Sequence, residues 1–322
     1  MTNAKGLSRI PSRILFPFLL GLVFTVLPSV PASAQPVLHE AGFTVTPLGS
    51  GLGPKGVACS PGGVWGDYIY FSDSVGNLIE RVDFFDVGTS FASGLPDIDF
   101  PVGLAFGPGP ANTFGTFLYV GSYGSNQITR VDPSGTTSLF APFALVSDLA
   151  FDPSGSYGSD LFATEFQGPI FTVDPTGVVS PFSTVSALYL KFGPGGAWGS
   201  GLYASTTTPG PGISQVSPAG VATVFSGGFS QPEQFDWATG GSFGGDMFVA
   251  DVITHQVWRV HSDGTRTLFL DGPHDFAGIA FCNGCLYVSA FHGGCWRICN
   301  DQPIPTEEAT WGVIKQRYAS QD

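Results

Sequence analysis

Short runs in which apolar and polar residues alternate recur along most of this chain, most clearly over residues 234–270. That segment contains the four runs QFDWA, MFVAD, QVWRV and TRTLFL, separated by turns rich in glycine, serine and aspartate. Runs of this length and alternation are typical of β-strands joined by hairpins, and no helical period occurs among them. The segment therefore predicts one four-stranded antiparallel sheet, which needs neighbours to cover its two faces.

Weaker copies of this four-strand unit fill most of the sequence. The last residue of each predicted first strand recurs at intervals of 41 to 47 residues, at Cys59, Phe106, Phe151, Phe192, Trp237 and Phe281. In five units an aromatic–glycine pair precedes the second strand, and we expect its ring to pack between neighbouring sheets. These pairs begin at Trp65, Phe114, Tyr157, Trp198 and Phe243. The repeat predicts an all-β, six-bladed β-propeller. A two-sheet β-sandwich is the alternative, but it does not require so regular a period.

The sixth unit lacks a fourth strand, because the chain stops alternating after Cys299. Residues 43–48, FTVTPL, precede the first unit at the spacing of a fourth strand. We therefore expect this N-terminal strand to complete the last blade and close the ring, which also removes an exposed sheet edge. The predicted propeller spans residues 35–300. Residues 301–322 form a C-terminal tail, in which 307–318 have the spacing of a short helix.

The first 34 residues have the features of a secretory signal peptide. Lys5, Arg9 and Arg13 precede an apolar run over residues 14–27, and Ala32-Ser33-Ala34 matches a cleavage site. A membrane anchor is the alternative, but the run is short for a spanning helix. We expect cleavage after Ala34, a secreted or periplasmic location, and a monomeric protein with no membrane attachment.

The predicted mature chain is strongly acidic. Removing residues 1–34 takes away three of the 12 basic residues and none of the 25 acidic ones, so the net charge becomes 9 − 25 = −16. This balance argues against nucleic acids and anionic lipids as partners.

Four of the five cysteines lie in the last unit, as C-x2-C and C-x3-C: Cys282, Cys285, Cys295 and Cys299. This spacing would suit a zinc site in a reducing compartment, whereas export favours disulfides. A hairpin about residue 292 favours the pair Cys285–Cys299, although three connectivities remain open. We expect Cys59 to be a buried free thiol, because it replaces the aromatic residue of the other units.

Candidate chemistry lies on the loops that link one predicted blade to the next, because these loops enter the central channel. Lys55, Asp99, Asp148, Glu233, His274 and Asp275 are the predicted ligand-binding residues, and Asp97 and Ser147 lie on the same loops. Among them, Glu233, His274 and Asp275 are candidates for acid–base catalysis. Solvated loop charges and loop caps are the alternative for each of them.

Two sequence features carry a family resemblance: Pro101-Val102-Gly103-Leu104-Ala105-Phe106 at a first strand, and Met247–Asp251 at a second strand. Over residues 43–300 the chain resembles the NHL-repeat and gluconolactonase/regucalcin group of six-bladed propellers. The resemblance implies a divalent metal in the channel, held by residues four positions before each first-strand aromatic. Those positions here are Lys55, Val102, Ser147, Leu188, Glu233 and Ala277.

Only Glu233 matches a metal ligand of that group, and one carboxylate does not hold a catalytic calcium or zinc ion. The sequence therefore favours a binding or scaffold protein that contacts a small molecule, glycan or protein through its blade-linking face. A divergent metal-dependent lactonase or related hydrolase, with Ca²⁺ in the channel, is the alternative.

Overall fold

The computed structural model describes residues 35–48, 54–83, 87–94, 96–208, 210–238, 241–291 and 293–300. This part of the chain contains 24 strands and three single-turn 3-10 helices. None of its helices is long and apolar enough to cross a membrane. The predicted signal peptide and C-terminal tail lie outside the described residues, as does His292.

The N-terminal strands and the first two sheets follow the predicted four-strand pattern. Their bounds are β1 Val37–Leu38, β2 Phe43–Leu48, β3 Pro54–Cys59, β4 Ile69–Asp73, β5 Leu78–Val82, β6 Gly88–Ser93, β7 Pro101–Phe106, β8 Leu118–Ser122, β9 Gln127–Val131 and β10 Thr137–Pro142. Strands β3–β6 form one antiparallel sheet and β7–β10 form the next. Hairpins between consecutive strands account for both sheets, as the glycine- and aspartate-rich turns predict.

The next two units share one continuous strand. Their bounds are β11 Val146–Phe151, β12 Leu161–Glu165, β13 Gly168–Val173, β14 Val179–Phe192, β15 Leu202–Thr208, β16 Gly212–Val216 and β17 Ala222–Gly227. The first half of β14 pairs with β13 and the second half pairs with β15. All seven strands therefore belong to one hydrogen-bonded sheet. The described chain thus has five sheets rather than six separate ones, because the link between these two units is itself extended and hydrogen-bonded.

The last two sheets contain both N-terminal strands. Their remaining bounds are β18 Pro232–Trp237, β19 Met247–Asp251, β20 Gln256–Val260, β21 Arg266–Asp271, β22 Phe276–Cys282, β23 Cys285–Ala290 and β24 Cys295–Asn300. Strand β2 pairs with β24 from Phe43 opposite Asn300 to Leu48 opposite Cys295. The predicted pairing of residues 43–48 with the last sheet is confirmed. Strand β1 adds a fifth strand to the preceding sheet, beside β21.

The inner strands contact one another in a closed cycle, in the order β3, β7, β11, second half of β14, β18, β22 and back to β3. An aromatic contact repeats between successive units. Trp65 packs on Phe106 with ring centroids 5.0 Å apart, and Phe114 packs on Phe151 at 4.9 Å. The equivalent pairs in the next three junctions are Tyr157–Phe192, Trp198–Trp237 and Phe243–Phe281. The aromatic side chains before the second strands thus join adjacent units, as the sequence predicts.

The remaining junction, between the last unit and the first, is held by a disulfide instead. Cys59 bonds to Cys282, with Cα atoms 5.8 Å apart. The prediction that Cys59 is a free thiol was wrong, because its partner lies across the ring closure rather than within its own unit. The predicted bond Cys285–Cys299 is confirmed, since the two residues are opposite each other on β23 and β24. Cys295 is therefore the free and buried thiol.

Candidate functional site

Equivalent positions of the six inner strands define three layers along the channel. The upper layer, at the amino ends of the strands, consists of Lys55, Val102, Ser147, Leu188, Glu233 and Ala277. The middle layer consists of Gly56, Gly103, Asp148, Tyr189, Gln234 and Gly278. The lower layer, nearer the carboxyl ends, consists of Ala58, Ala105, Ala150, Lys191, Asp236 and Ala280. Most charged side chains of these layers come from β11, β14 and β18, so the channel is polar on one side and apolar on the other.

In the upper layer, two buried charges of opposite sign influence each other. Lys55 is 5% exposed and Glu233 is 1% exposed. Burial lowers the pKa of Lys55, and the charge of Glu233 opposes that shift. Burial raises the pKa of Glu233, and the charge of Lys55 opposes it. Each group thus offsets part of the desolvation cost of the other.

Aromatic rings cover the Lys55 ammonium. Its Nζ lies 4.3 Å from the centroid of Phe291 and 5.4 Å from that of Phe166. Gln231 Nε2 donates a hydrogen bond of 2.7 Å to Glu233 Oε1. The hydroxyl of Tyr189 lies beside the same carboxylate, but neither that hydroxyl nor Glu233 Oε2 makes a well-formed hydrogen bond within the described residues. The upper layer is therefore a buried cluster in which the two charges partly offset each other.

Gln234 connects three inner strands in the middle layer. Its Oε1 accepts hydrogen bonds of 3.0 Å from the backbone N–H groups of Val57 and Ile279, and its Nε2 donates one of 3.0 Å to the Val57 carbonyl. Glycine at Gly56 makes the approach of β3 to the next strand feasible, because a Cβ there would lie 2.2 Å from the Val102 carbonyl oxygen. Gln234, on β18, therefore acts as a brace: its hydrogen bonds join the first inner strand, β3, to the last one, β22.

Asp148 is the second polar group of the middle layer. Its Oδ2 accepts a hydrogen bond of 2.9 Å from the Leu190 N–H of the neighbouring inner strand. The residue is 3% exposed. Burial raises the pKa of Asp148 to about 7, against the opposing effects of the Leu190 and Leu149 N–H groups and the charge of Lys191. The carboxyl group therefore changes its charge near neutral pH.

A cavity of about 400 Å³ lies at the carboxyl ends of the inner strands. The small lower-layer residues Ala58, Ala105 and Ala150 line one side, and Lys191 and Asp236 line the other. Asp148 and Gln234 also line it. The cavity is large enough for a small molecule, and its lining combines apolar side chains with a few convergent polar groups.

An ion pair defines the polar wall of this cavity. Lys191 Nζ lies 2.7 Å from Asp236 Oδ2, and their side chains are 39% and 10% exposed. Asp236 Oδ2 also accepts a hydrogen bond of 2.9 Å from the Phe281 N–H. Asp236 is thus fixed by the next inner strand, whereas Lys191 has access to the cavity. A second cavity of about 620 Å³ shares the lining residues Phe106, Phe151 and Pro153 with this one.

The structure separates the six predicted ligand-binding residues. Lys55 and Glu233 lie together in the upper layer, and Asp148 lines the cavity on the opposite side of the middle layer. The His274 ring packs 4.5 Å from Trp296, between sheets. Asp275 Oδ1 pairs with His255 Nδ1 at 3.0 Å. Asp99 is half-buried in the loop before β7, where its carbonyl accepts a hydrogen bond from Gly124 N–H. A ligand role for these residues stays a prediction.

Sequence reasoning missed Lys191 and Asp236. Both stand one position before the first-strand aromatic, where the other four units have alanine. That replacement of a small residue by a charged one, at equivalent positions of two adjacent units, was the available signal. Asp73 caps the turn after β4, because its Oδ1 accepts hydrogen bonds from Val75 and Gly76 N–H.

The side chains that line the channel do not form a binding site for a metal ion. Over the described ranges no group of three or more His, Cys, Asp or Glu side chains is arranged to hold an ion. In the upper layer the neighbour of Glu233 is the ammonium of Lys55, which repels a cation, and valine, leucine and alanine supply no ligand atoms. We therefore derive no chemistry through a metal.

The closed cycle of inner strands and the layered channel identify the fold as a β-propeller. It is similar to a gluconolactonase from Xanthomonas campestris, with a TM-score of 0.63, 17% identity, and coverage of 84% of this chain and 97% of that one. It is also similar to virginiamycin B lyase from Staphylococcus aureus, with a TM-score of 0.55, 14% identity, and coverage of 80% and 99%. A third similar structure is an auxiliary nutrient binding protein from Bacteroides ovatus, with a TM-score of 0.60, 13% identity, and coverage of 80% and 77%.

At these identities the likeness shows the fold alone. No protein-family model matches the chain. No curated protein matches it in sequence.

Proposed function

We propose that the chain forms six blades, two of which share strand β14. Six inner strands in a closed cycle support this count, as do five equivalent aromatic contacts and one disulfide at the six junctions between units. We also propose that the protein is exported after removal of residues 1–34. Its two disulfides are consistent with an extracellular or periplasmic location.

We further propose that this propeller binds a small molecule in the central channel. The observation that carries the proposal is the cavity of about 400 Å³ at the carboxyl ends of the inner strands, which has alanine walls and the polar groups Asp148, Lys191 and Asp236. This proposal moves the ligand from the blade-linking face, where the sequence suggested it, to the opposite face. The reason is that Lys55 and Glu233 are almost fully buried, and each offsets part of the desolvation cost of the other.

The side chains that line the channel support ligand binding rather than metal-dependent hydrolysis. Lactone hydrolysis by the metal mechanism of the gluconolactonase group would need ligands that Val102, Leu188 and Ala277 cannot supply. Metal analysis of the purified protein tests this point, together with a lactone and ester panel assayed with and without chelator. A stoichiometric ion together with chelator-sensitive turnover would favour the hydrolase.

Two variants, one at each end of the channel, test where the ligand binds. Ala58→Phe places a ring in the cavity, and Asp99→Ala changes the blade-linking face as a matched control. The assay is thermal denaturation against a panel of monosaccharides, aldonic acids, amino acids and alkyl amines. We expect at least one compound to raise the Tm of the wild type and of Asp99→Ala but not of Ala58→Phe. Loss of the shift in Asp99→Ala alone would place the ligand on the blade-linking face, and no shift with any compound would contradict channel binding.

A further inference from the structure

Asp148 is the one carboxylate of the channel cavity that lacks a cation within ion-pair distance in the described structure. Asp236, the other carboxylate there, is neutralised by Lys191 at 2.7 Å. Asp148 instead accepts hydrogen bonds from the backbone N–H groups of Leu190 and Leu149, and it lines the cavity together with Ala58, Ala105 and Ala150. An ionised carboxylate in such surroundings is costly unless a cation joins it.

The groups around Asp148 leave this charge largely uncompensated. Strand β7 contributes no titratable side chain, and β12 contributes Glu165, which is opposite Val146, whereas Thr164 is opposite Asp148. Strand β14 contributes Tyr189, which carries no positive charge, and Lys191, which is already paired with Asp236 of β18. Ionisation of Asp148 therefore gives the cavity a net negative charge, inside a chain that is itself acidic.

We infer that the cavity binds a primary ammonium group carried on a short aliphatic chain, with the ammonium at Asp148 and the chain against Ala58, Ala105 and Ala150. This inference rests on the proposed ligand-binding function and specifies the chemical class of the ligand. The ammonium supplies the missing counter-charge and hydrogen-bond donors, and the alanine-lined side of the cavity accepts methylene groups. A carboxylate ligand would face Asp148 with like charge and would have to displace Asp236 from Lys191.

The pH dependence follows from the titration of Asp148. With a pKa of about 7, the carboxyl group is roughly 9% ionised at pH 6 and roughly 91% ionised at pH 8. An alkylammonium ion keeps its charge over this range. Its affinity should therefore rise about tenfold from pH 6 to pH 8, and binding at pH 6 should release protons to the buffer.

The experiment is isothermal titration of the purified protein with n-butylammonium, 1-butanol and butyrate at pH 6 and pH 8. We expect butylammonium to bind with the tenfold pH effect, butanol to bind more weakly without one, and butyrate not to bind. Asp148→Asn should weaken butylammonium binding at pH 8 at least tenfold and remove its pH dependence. Asp132→Asn, a change in an exposed turn, is the matched control and should behave like the wild type.

Two kinds of failure are distinguishable. If butanol, butyrate or a sugar binds as well as butylammonium, and Ala58→Phe removes that binding, the ligand class is wrong and the channel site stands. The same holds if Asp148→Asn keeps the pH dependence. If Ala58→Phe leaves every binding event unchanged, the proposed function fails together with the inference.

Discussion

Removing the disulfide Cys59–Cys282 should destabilise the protein more than removing Cys285–Cys299. The first bond joins the inner strand of the first unit to that of the last, across a sequence separation of 223 residues. The second joins two adjacent strands of one sheet, across 14 residues. Both bonds are replaced by alanine pairs in a Cys295→Ala background, so that no free thiol can exchange with the remaining disulfide.

The magnitudes come from the loop entropy that each bond removes from the unfolded chain. The chain-entropy relation gives about 5 kcal/mol for the long loop and about 3 kcal/mol for the short one. The pairing of β2 with β24 also closes the ring, but it is lost on unfolding and so does not restrain the unfolded chain. We therefore expect the two variants to differ by about 2 kcal/mol in the free energy of unfolding.

The assay is equilibrium urea denaturation of the two double variants and the Cys295→Ala parent, followed by tryptophan fluorescence and circular dichroism. A lower midpoint for Cys59→Ala/Cys282→Ala than for Cys285→Ala/Cys299→Ala is the expected result. Equal midpoints, or the reverse order, would refute the reasoning that the first bond is the covalent closure of the ring.

Three further predictions concern the channel. Gln234→Leu should lower the unfolding free energy by about 2–4 kcal/mol in urea denaturation, because it leaves three buried backbone groups on two strands unpaired; a cost under 1 kcal/mol would contradict the brace. Lys55→Met should cost about 3–5 kcal/mol by leaving Glu233 buried without its counter-charge, and adding Glu233→Leu should recover most of that loss; no recovery would show that the two charges are not coupled. Asp148→Asn should stabilise the protein at pH 8 but not at pH 4, measured as Tm. The pKa of Asp148 in the folded protein, about 7, lies above its ordinary value of 3.8, so the wild type loses stability as pH rises between these values, by roughly 4 kcal/mol at most. A Tm difference that does not change with pH would contradict the raised pKa.

The strands and their order were predictable because their signals are local. Turns such as Asp132–Gly135 mark hairpins within a few residues, and the aromatic residues at Trp65 and Trp198 mark the junctions by simple repetition. The pairing of residues 43–48 followed because the last unit lacked one strand. Continuity of β14 was not predictable, because its two halves pair with different strands and the register shifts where they join.

The candidate site was less predictable because it depends on which units become neighbours. The partner of Cys59 lies across the ring closure, so comparison within one unit could not find it. The sequence places His274 on the same set of blade-linking loops as Glu233 and Asp275. In the structure, however, its ring packs on Trp296. Lys191 and Asp236 meet only when two inner strands are placed side by side, and the alanines opposite them leave the space that makes the cavity.

The location of the ligand is tested most directly by a crystal structure of the protein soaked with n-butylammonium at pH 8. We predict difference density for the ligand within the cavity at the carboxyl ends of the inner strands, with the ammonium nitrogen beside Asp148. Ligand density confined to the blade-linking face near Lys55 and Asp99, or no ligand density in the channel, would contradict the proposed location.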